Sequence, residues 1–393
     1  MRTAEYIRQK AREYRNDTAQ YLSEIVKIPS VSCEEKEVVL KIKELLESAG
    51  VHNVRIDALG NCIARVGNGP KVLAIDAHID TVDTGDESQW ELSPFSGIIK
   101  DGYVHGRGTV DQEGGAAAMI TAARILTEMK YDGDYTIYFT FTVMEEDCDG
   151  MCWEYLINEE KLVPDFAVIT EPTNLGIYRG HRGRMEMELY FKGLSAHGSA
   201  PERGKNVIYS ASKVALAIEK LNENLRVDPF LGKGSIAATL LRSQSPSLCA
   251  IPDVARMHID RRLTWGEDKE SALAELKEIC DDDVTMEVPE YDSPGYKGTV
   301  YKIEKYFPTW KIPENHPLVQ AGAKTYEALF NERPRIDKWT FSTNGVSICG
   351  RHGIPCIGFG PGNEIYAHAP NEKTPVEHLE KAAAFYTLIA YEL

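Results

Sequence analysis

The stretch at 72–80, Val-Leu-Ala-Ile-Asp-Ala-His-Ile-Asp, constrains the chain more than any other. An apolar run of this length reads as a buried strand. It ends in three ionisable side chains, Asp76, His78 and Asp80. Side chains alternate along a strand, so His78 and Asp80 share a face. In an open α/β sheet the carboxyl ends of the strands are where ligands bind. A His with a carboxylate two positions on has the form of a metal ligand and its orienting partner. A capped strand end with a merely hydrogen-bonded His gives the same letters.

Similar endings recur. Residues 135–144 are rich in β-branched and aromatic side chains and run straight into Glu145-Glu146-Asp147. Consecutive carboxylates after a buried strand are costly unless something neutralises them or the loop is solvated. A short strand at 165–170 runs into Glu171 and Pro172. Asp111 precedes a strongly helical run at 116–129, where a plain N-cap is the simpler reading. Each carboxylate is ambiguous alone. Their return at equivalent ends of one α/β sheet is hard to assign to chance.

The remaining chain falls into place around them. An amphipathic helix is expected at 3–27, a second at 34–49 and a hairpin at 54–66 turning at 59–61. From about residue 180 the grammar changes. Strands at 185–192, 235–243, 254–263 and 284–291 alternate with helices at 204–225 and 267–280. That order, β-α-β-β-α-β, predicts a ferredoxin-like unit. The expected organisation is an α/β catalytic domain with a mainly parallel sheet, made of 1–179 and 297–393. A lid or dimerisation domain at 180–296 is inserted in it. After the insert, a helix at 318–330, strands at 346–349 and 356–359, and a helix at 377–393 resume the α/β grammar.

Length and composition bound the function. The chain has 393 residues, room for two domains with ample core. Its net charge of −16 argues against nucleic-acid or anionic-membrane partners, which need clustered Lys and Arg. No stretch approaches the ~18 uninterrupted apolar residues of a membrane span, and the N-terminus has no apolar signal core. Eight scattered cysteines are expected as reduced thiols in a cytoplasmic protein. Cys148 and Cys152 sit beside the glutamate pair and are expected to be inert. No Gly-rich phosphate loop follows a strand, which argues against nucleotide binding.

Short motifs in order complete the reading. They are His-Ile-Asp at 78–80, Gly-Arg-Gly-Thr-Val-Asp at 106–111, Glu-Glu-Asp at 145–147 and Thr-Glu-Pro at 170–172. Next come Ala-His-Gly-Ser-Ala-Pro at 196–201, Ile-Pro-Asp at 251–253 with Asp-Arg-Arg at 260–262, and Gly-Pro-Gly at 360–362 with Ala-His-Ala-Pro-Asn-Glu at 367–372. Over nearly its whole length the chain resembles the M20 metallopeptidases. That group includes acetylornithine deacetylase, succinyl-diaminopimelate desuccinylase and the aminoacylases.

The resemblance implies two divalent metals per chain, zinc first, with cobalt or manganese as alternatives. His78 and Glu171 would hold one, Glu146 and His368 the other, and Asp111 would bridge them. Asp80 would orient His78, and Glu145 would be the general base. His197 would come from a partner subunit of a homodimer to stabilise an oxyanion. Arg261 and Asn206 would contact a substrate carboxylate, with Arg261 favoured over Arg262. Gly362, in the Gly-Pro-Gly turn, would let backbone N–H groups approach an anion. The implied reaction is hydrolysis of the amide bond of a small N-acyl or N-carbamoyl amino acid. A di- or aminopeptidase is the alternative, and a non-catalytic metal-binding scaffold a further one.

The chain also departs from the pattern. Glu113 stands where the family commonly has Lys, and Thr340 to Gly345 stand where many members have Gly-Thr-Asp. The Asp-Gln-Glu-Gly-Gly and Glu-Glu-Asp-Cys-Asp-Gly stretches resemble the selenium-metabolism-linked branch.

Overall fold

The computed structural model describes residues 2–393. The chain opens with α1 (Arg2–Glu13) and α2 (Arg15–Val26), then α3 (Lys36–Ser48). The expected single opening helix is thus two, interrupted at Tyr14, whose hydroxyl donates to Glu128 at 2.7 Å. A hairpin of β1 (Val54–Ile56) and β2 (Cys62–Val66) leads into β3 (Lys71–His78). There follow α4 (Glu113–Glu128), β4 (Tyr135–Thr142), α5 (Met151–Asn158), β5 (Phe166–Ile169) and β6 (Ile177–Tyr178).

The inserted unit holds β7 (Gly183–Lys192), α6 (Val207–Glu223), β8 (Ser235–Gln244), β9 (Val254–Leu263), α7 (Lys269–Ile279) and β10 (Thr285–Glu287). The chain then returns through α8 (Pro317–Phe330), β11 (Ile336–Asp337), β12 (Cys356–Gly358) and α9 (Val376–Glu392).

The central sheet has eight strands in the order β1-β2-β4-β3-β5-β12-β6-β11. Its middle four, β4, β3, β5 and β12, are mutually parallel. Parallel strands buried on both faces read as near-continuous apolar runs, as Leu73, Ala74, Ile75 and Ala77 do at 0% exposure. Because these four run the same way, their carboxyl ends open on one side. Helices α1, α2, α4, α8 and α9 pack on one another, and the alanine-rich α4 allows close approach.

The small sheet is antiparallel, ordered β8-β9-β7-β10, and forms a separate domain with its own core. Met185, Met187, Leu189 and Phe191 alternate inward from β7. They meet Met257 and Ile259 of β9 and Val207, Ala211, Val214 and Ile218 of α6. The strand expected at 284–291 is split. Residues 285–287 pair with β7, whereas Glu290–Tyr291 pair with Ile303–Glu304. Tyr306–Phe307 rejoin the lid sheet on β7 before the chain crosses back. The expected strand at 346–349 is instead helical, over Val346–Arg351, because Ser347 and Ile348 both donate to the Asn344 carbonyl. A run of only four residues does not separate strand from helix by period.

Candidate metal centre

Four loops at the carboxyl side of the parallel sheet meet at one cluster. His78 closes β3, and its Nδ1 pairs with the Asp80 carbonyl at 2.9 Å, leaving Nε2 to face inward. The Asp80 carboxylate lies farther from the ring, at 3.6 Å. It accepts instead from the Glu145 N–H at 3.1 Å, the Glu146 N–H at 3.0 Å and the Ser32 hydroxyl at 2.6 Å. Asp80 therefore fixes the glutamate pair through its carboxylate and His78 through its main chain.

Asp111 stands in the middle. Its Oδ1 is 3.0 Å from His78 Nε2, and its Oδ2 is 3.3 Å from His368 Nε2. His368 Nε2 is also 3.0 Å from Glu146 Oε1. Glu171 Oε1 lies 3.5 Å from His78 Nε2 and Glu145 Oε2 lies 3.9 Å from it. His78, Glu145 and Glu171 bring one ligand atom each within 4.8 Å of one another, as do His78, Asp111 and Glu146. The two groups share His78, and Asp111 lies between His78 and His368.

Buried carboxylates crowd the cluster and oppose one another's charge. Burial, and after it the Asp111 charge, pushes Glu171 well above the usual carboxylate range. Burial likewise raises Glu145, with His78 opposing and Asp149, Glu146 and Asp80 adding. Burial and Asp111 raise Glu146. Burial works against a charge on His78, but its bonds to Asp111 and Asp80 outweigh this and raise it. Bonds to Asp111 and Glu146 lift His368 to about 10. Glu145 Oε1 and Glu171 Oε2 are buried without a hydrogen-bond partner. Imidazole nitrogens and carboxylate oxygens suit zinc and similar divalent ions, so the donor set fits such ions.

A cavity of about 330 Å³ opens onto the cluster. Asp111, Glu145, Glu146, Glu171 and His368 form its floor. Arg184, Arg262, Asp149, Glu364, Phe341 and Ser342 line the rest. Arg184 Nη2 meets Asp149 Oδ1 at 3.1 Å, which joins lid to core beside the glutamate pair.

The remaining expected contacts lie elsewhere. Arg261 is fully buried, with Nη2 at 2.9 Å from Glu267 and 3.0 Å from Glu275. Along β9 it shares the apolar face of Met257, Ile259 and Leu263, which is the helix side. Arg262, on the other face, reaches the cavity. Asn206 caps α6 by accepting from the Ile208 N–H at 2.9 Å and does not line the cavity. Gly362, at φ +82°, donates its N–H to His378 Nδ1 at 3.3 Å, so that group is not free for an anion. His197 is exposed on the lid, bonded to Ser199, away from the cavity of its own chain. Cys148 and Cys152 are buried, and burial pushes both thiols up, away from the thiolate a metal ligand needs. Glu113 is buried; one of its oxygens accepts from the Ser30 hydroxyl at 3.4 Å and the other has no hydrogen-bond partner.

The family follows from matching the whole pattern. A model of Peptidase family M20/M25/M40 matches residues 74–392. The chain belongs to that family. As an M20 member it is 48% identical to the uncharacterized protein YgeY of Escherichia coli (strain K12), over 98% of this chain and 96% of that one. It is 28% identical to a probable succinyl-diaminopimelate desuccinylase of Staphylococcus epidermidis, over 91% and 92%. Its fold matches that of the Bacillus subtilis YXEP protein, a dinuclear metal-binding M20 peptidase, with a TM-score of 0.68 at 16% identity, over 96% and 98%. Among the described residues no helix of this M20 chain is long and apolar enough to cross a membrane.

Proposed function

We propose that this M20 chain hydrolyses the amide bond of a small N-acyl or N-carbamoyl amino acid with two divalent metal ions. The observation that carries the reading is Asp111, whose two oxygens face two different imidazoles, His78 and His368. Such a carboxylate is placed to be shared. His78 and Glu171 would hold one ion and Glu146 and His368 the other, with zinc favoured. The YXEP protein and the desuccinylase relative support this in kind. Bound there, the ions would supply Lewis acidity, lowering the pKa of a water and polarising an acyl oxygen.

The chain's own groups do the rest. Glu145 lines the cavity and has an oxygen without a partner. It would take a proton from water and hand it to the leaving nitrogen. Asp80 holds Glu145 and Glu146 in place through their N–H groups. Arg262 would receive the substrate carboxylate, since a guanidinium fork suits that group. Asp149 and Glu364 on the wall would accept an ammonium, which favours a di- or aminopeptidase as second reading. The selenium-linked branch rests on the 111–115 and 145–150 stretches alone.

The test is amine release from N-acetyl, N-succinyl, N-formyl and N-carbamoyl amino acids and simple dipeptides. The protein is loaded with Zn, Co or Mn, and Glu145→Gln is the control. We expect metal-dependent turnover of a blocked amino acid, lost by about 10²–10⁴-fold in the control. Turnover of dipeptides alone would favour the second reading. Unchanged turnover in Glu145→Gln would remove the base, and no bound metal would favour a scaffold.

A further inference from the structure

We propose that Glu372 and Arg107 are a positioning pair that sets both halves of the metal centre at once; this rests on the two-ion reading above. Glu372 is fully buried, and every hydrogen bond of its carboxylate goes to the loop that carries Asp111. Oε1 accepts the N–H groups of Val110 at 2.7 Å and Asp111 at 3.1 Å. Oε2 accepts the Gly108 N–H at 3.1 Å and Arg107 Nη1 at 2.7 Å. A carboxylate bound by successive backbone N–H groups fixes the path of that backbone, and here the path ends in the shared ligand.

Arg107 works in the other direction. The same Nη1 donates to the Ala369 carbonyl at 3.3 Å, and Nη2 donates to the His368 carbonyl at 3.4 Å. His368 has φ +59°, in the left-handed region that non-glycine residues enter at a cost. Its backbone therefore needs outside support, and Arg107 supplies it. The Trp90 ring covers the guanidinium at 5.1 Å. Neither residue lines the cavity. Both act on metal ligands only through backbone, as residues behind metal ligands commonly do.

The two halves of the pair make different predictions. Arg107→Lys keeps a positive charge beside Glu372 but loses the fork to the 368–369 carbonyls. It should weaken only the ion held by His368 and Glu146. Glu372→Gln turns an acceptor toward three N–H groups into a partial donor and loosens Asp111, so it should weaken both ions.

The experiment is stepwise Co²⁺ binding to the full chain, followed by visible absorption and equilibrium dialysis. Circular dichroism and thermal melting check the fold. We expect two ions in the wild type. Arg107→Lys should keep one affinity and lose about 10–100-fold in the other, with a changed absorption band for the weaker site. Glu372→Gln should lose a similar factor at both. A general loss of stability would not separate the two ions. Should Glu372→Gln not fold, Arg107→Lys decides. Folded variants with wild-type affinities at both sites would overturn the pair while leaving the two-ion reading in place. A wild type that binds fewer than two ions would overturn both.

Discussion

At the scale of single residues, the two neighbouring arginines show what the sequence does and does not disclose. Arg261 and Arg262 point to opposite faces of one strand, as period-two alternation requires. Which face is packed and which is open is legible in their neighbours. Ala255, Met257, Ile259 and Leu263 are apolar and share the face of Arg261, whereas Arg256, His258 and Asp260 share that of Arg262. That pattern buries the expected Arg261 and leaves Arg262 to line the cavity. The two substitutions should therefore part. Arg262→Ala should raise KM for a carboxylate-bearing substrate with little change in melting temperature. Arg261→Ala leaves Glu267 buried without its partner and should cost about 3–5 kcal/mol in urea unfolding. Equal effects of both on KM would refute the assignment. The positions of the metal-ligand candidates, by contrast, were readable because each ends a buried run in a group that a core does not accept unaided. Arg184, Asp149 and Glu364 were not, because no local pattern marks which residues of the two domains will meet at a wall.

Elements explain how the lid is joined to the core. The chain enters the lid through residues 180–181 and leaves through 310–311, and these two short segments pair with each other. His181 lies buried in this junction. Its Nδ1 donates to the Arg182 carbonyl at 2.9 Å, and its Nε2 accepts from the Trp310 indole at 2.7 Å and the Thr343 N–H at 3.2 Å. A ring that receives two donors at Nε2 has no room for a proton there. Burial accordingly lowers His181 to about 4. The folded pKa lies below the unfolded value of about 6.5, so between the two the unfolded chain binds more protons. This contribution is complete above pH 6.5 and is lost as pH falls through about 4. Wild type minus His181→Gln should change by about 3 kcal/mol across that window in urea titrations, and the difference cancels the other titrating groups. A difference independent of pH would show that the ring is not held neutral. The junction itself was invisible in the sequence, since two-residue strands carry no period. The parallel strands were visible, since apolar runs such as that in β3, bounded by polar residues, are the mark of strands buried on both faces.

At the scale of the whole molecule, the lid leaves surface that one chain does not use. Tyr209 and Leu216 of α6 are 68% and 62% exposed, and β8 is an edge strand of its sheet with Leu241 exposed. An apolar helix face beside an open sheet edge is a liability unless something covers it. We propose that a second copy does, and that His197, exposed on the same lid, serves the partner's cavity. Neither the lid angle nor the owner of a shared site is written in the order of residues, because both depend on surfaces far apart in sequence or on different chains. A mixing experiment separates the cases. His197→Ala and Glu145→Gln should each be nearly inactive alone, with the histidine variant down about 10²–10³-fold in kcat if it steadies an oxyanion. When the two are unfolded together and refolded, a mixed dimer whose His197 acts across the interface has one cavity with both Glu145 and His197. Activity should then return to about a quarter of wild type, the share expected for random pairing in a two-fold dimer. If His197 serves its own chain, both cavities of the mixed dimer stay defective and nothing returns. Leu216→Arg should give a particle of one chain's mass in sedimentation and the same low kcat as His197→Ala. A monomer with full activity would reject the shared site.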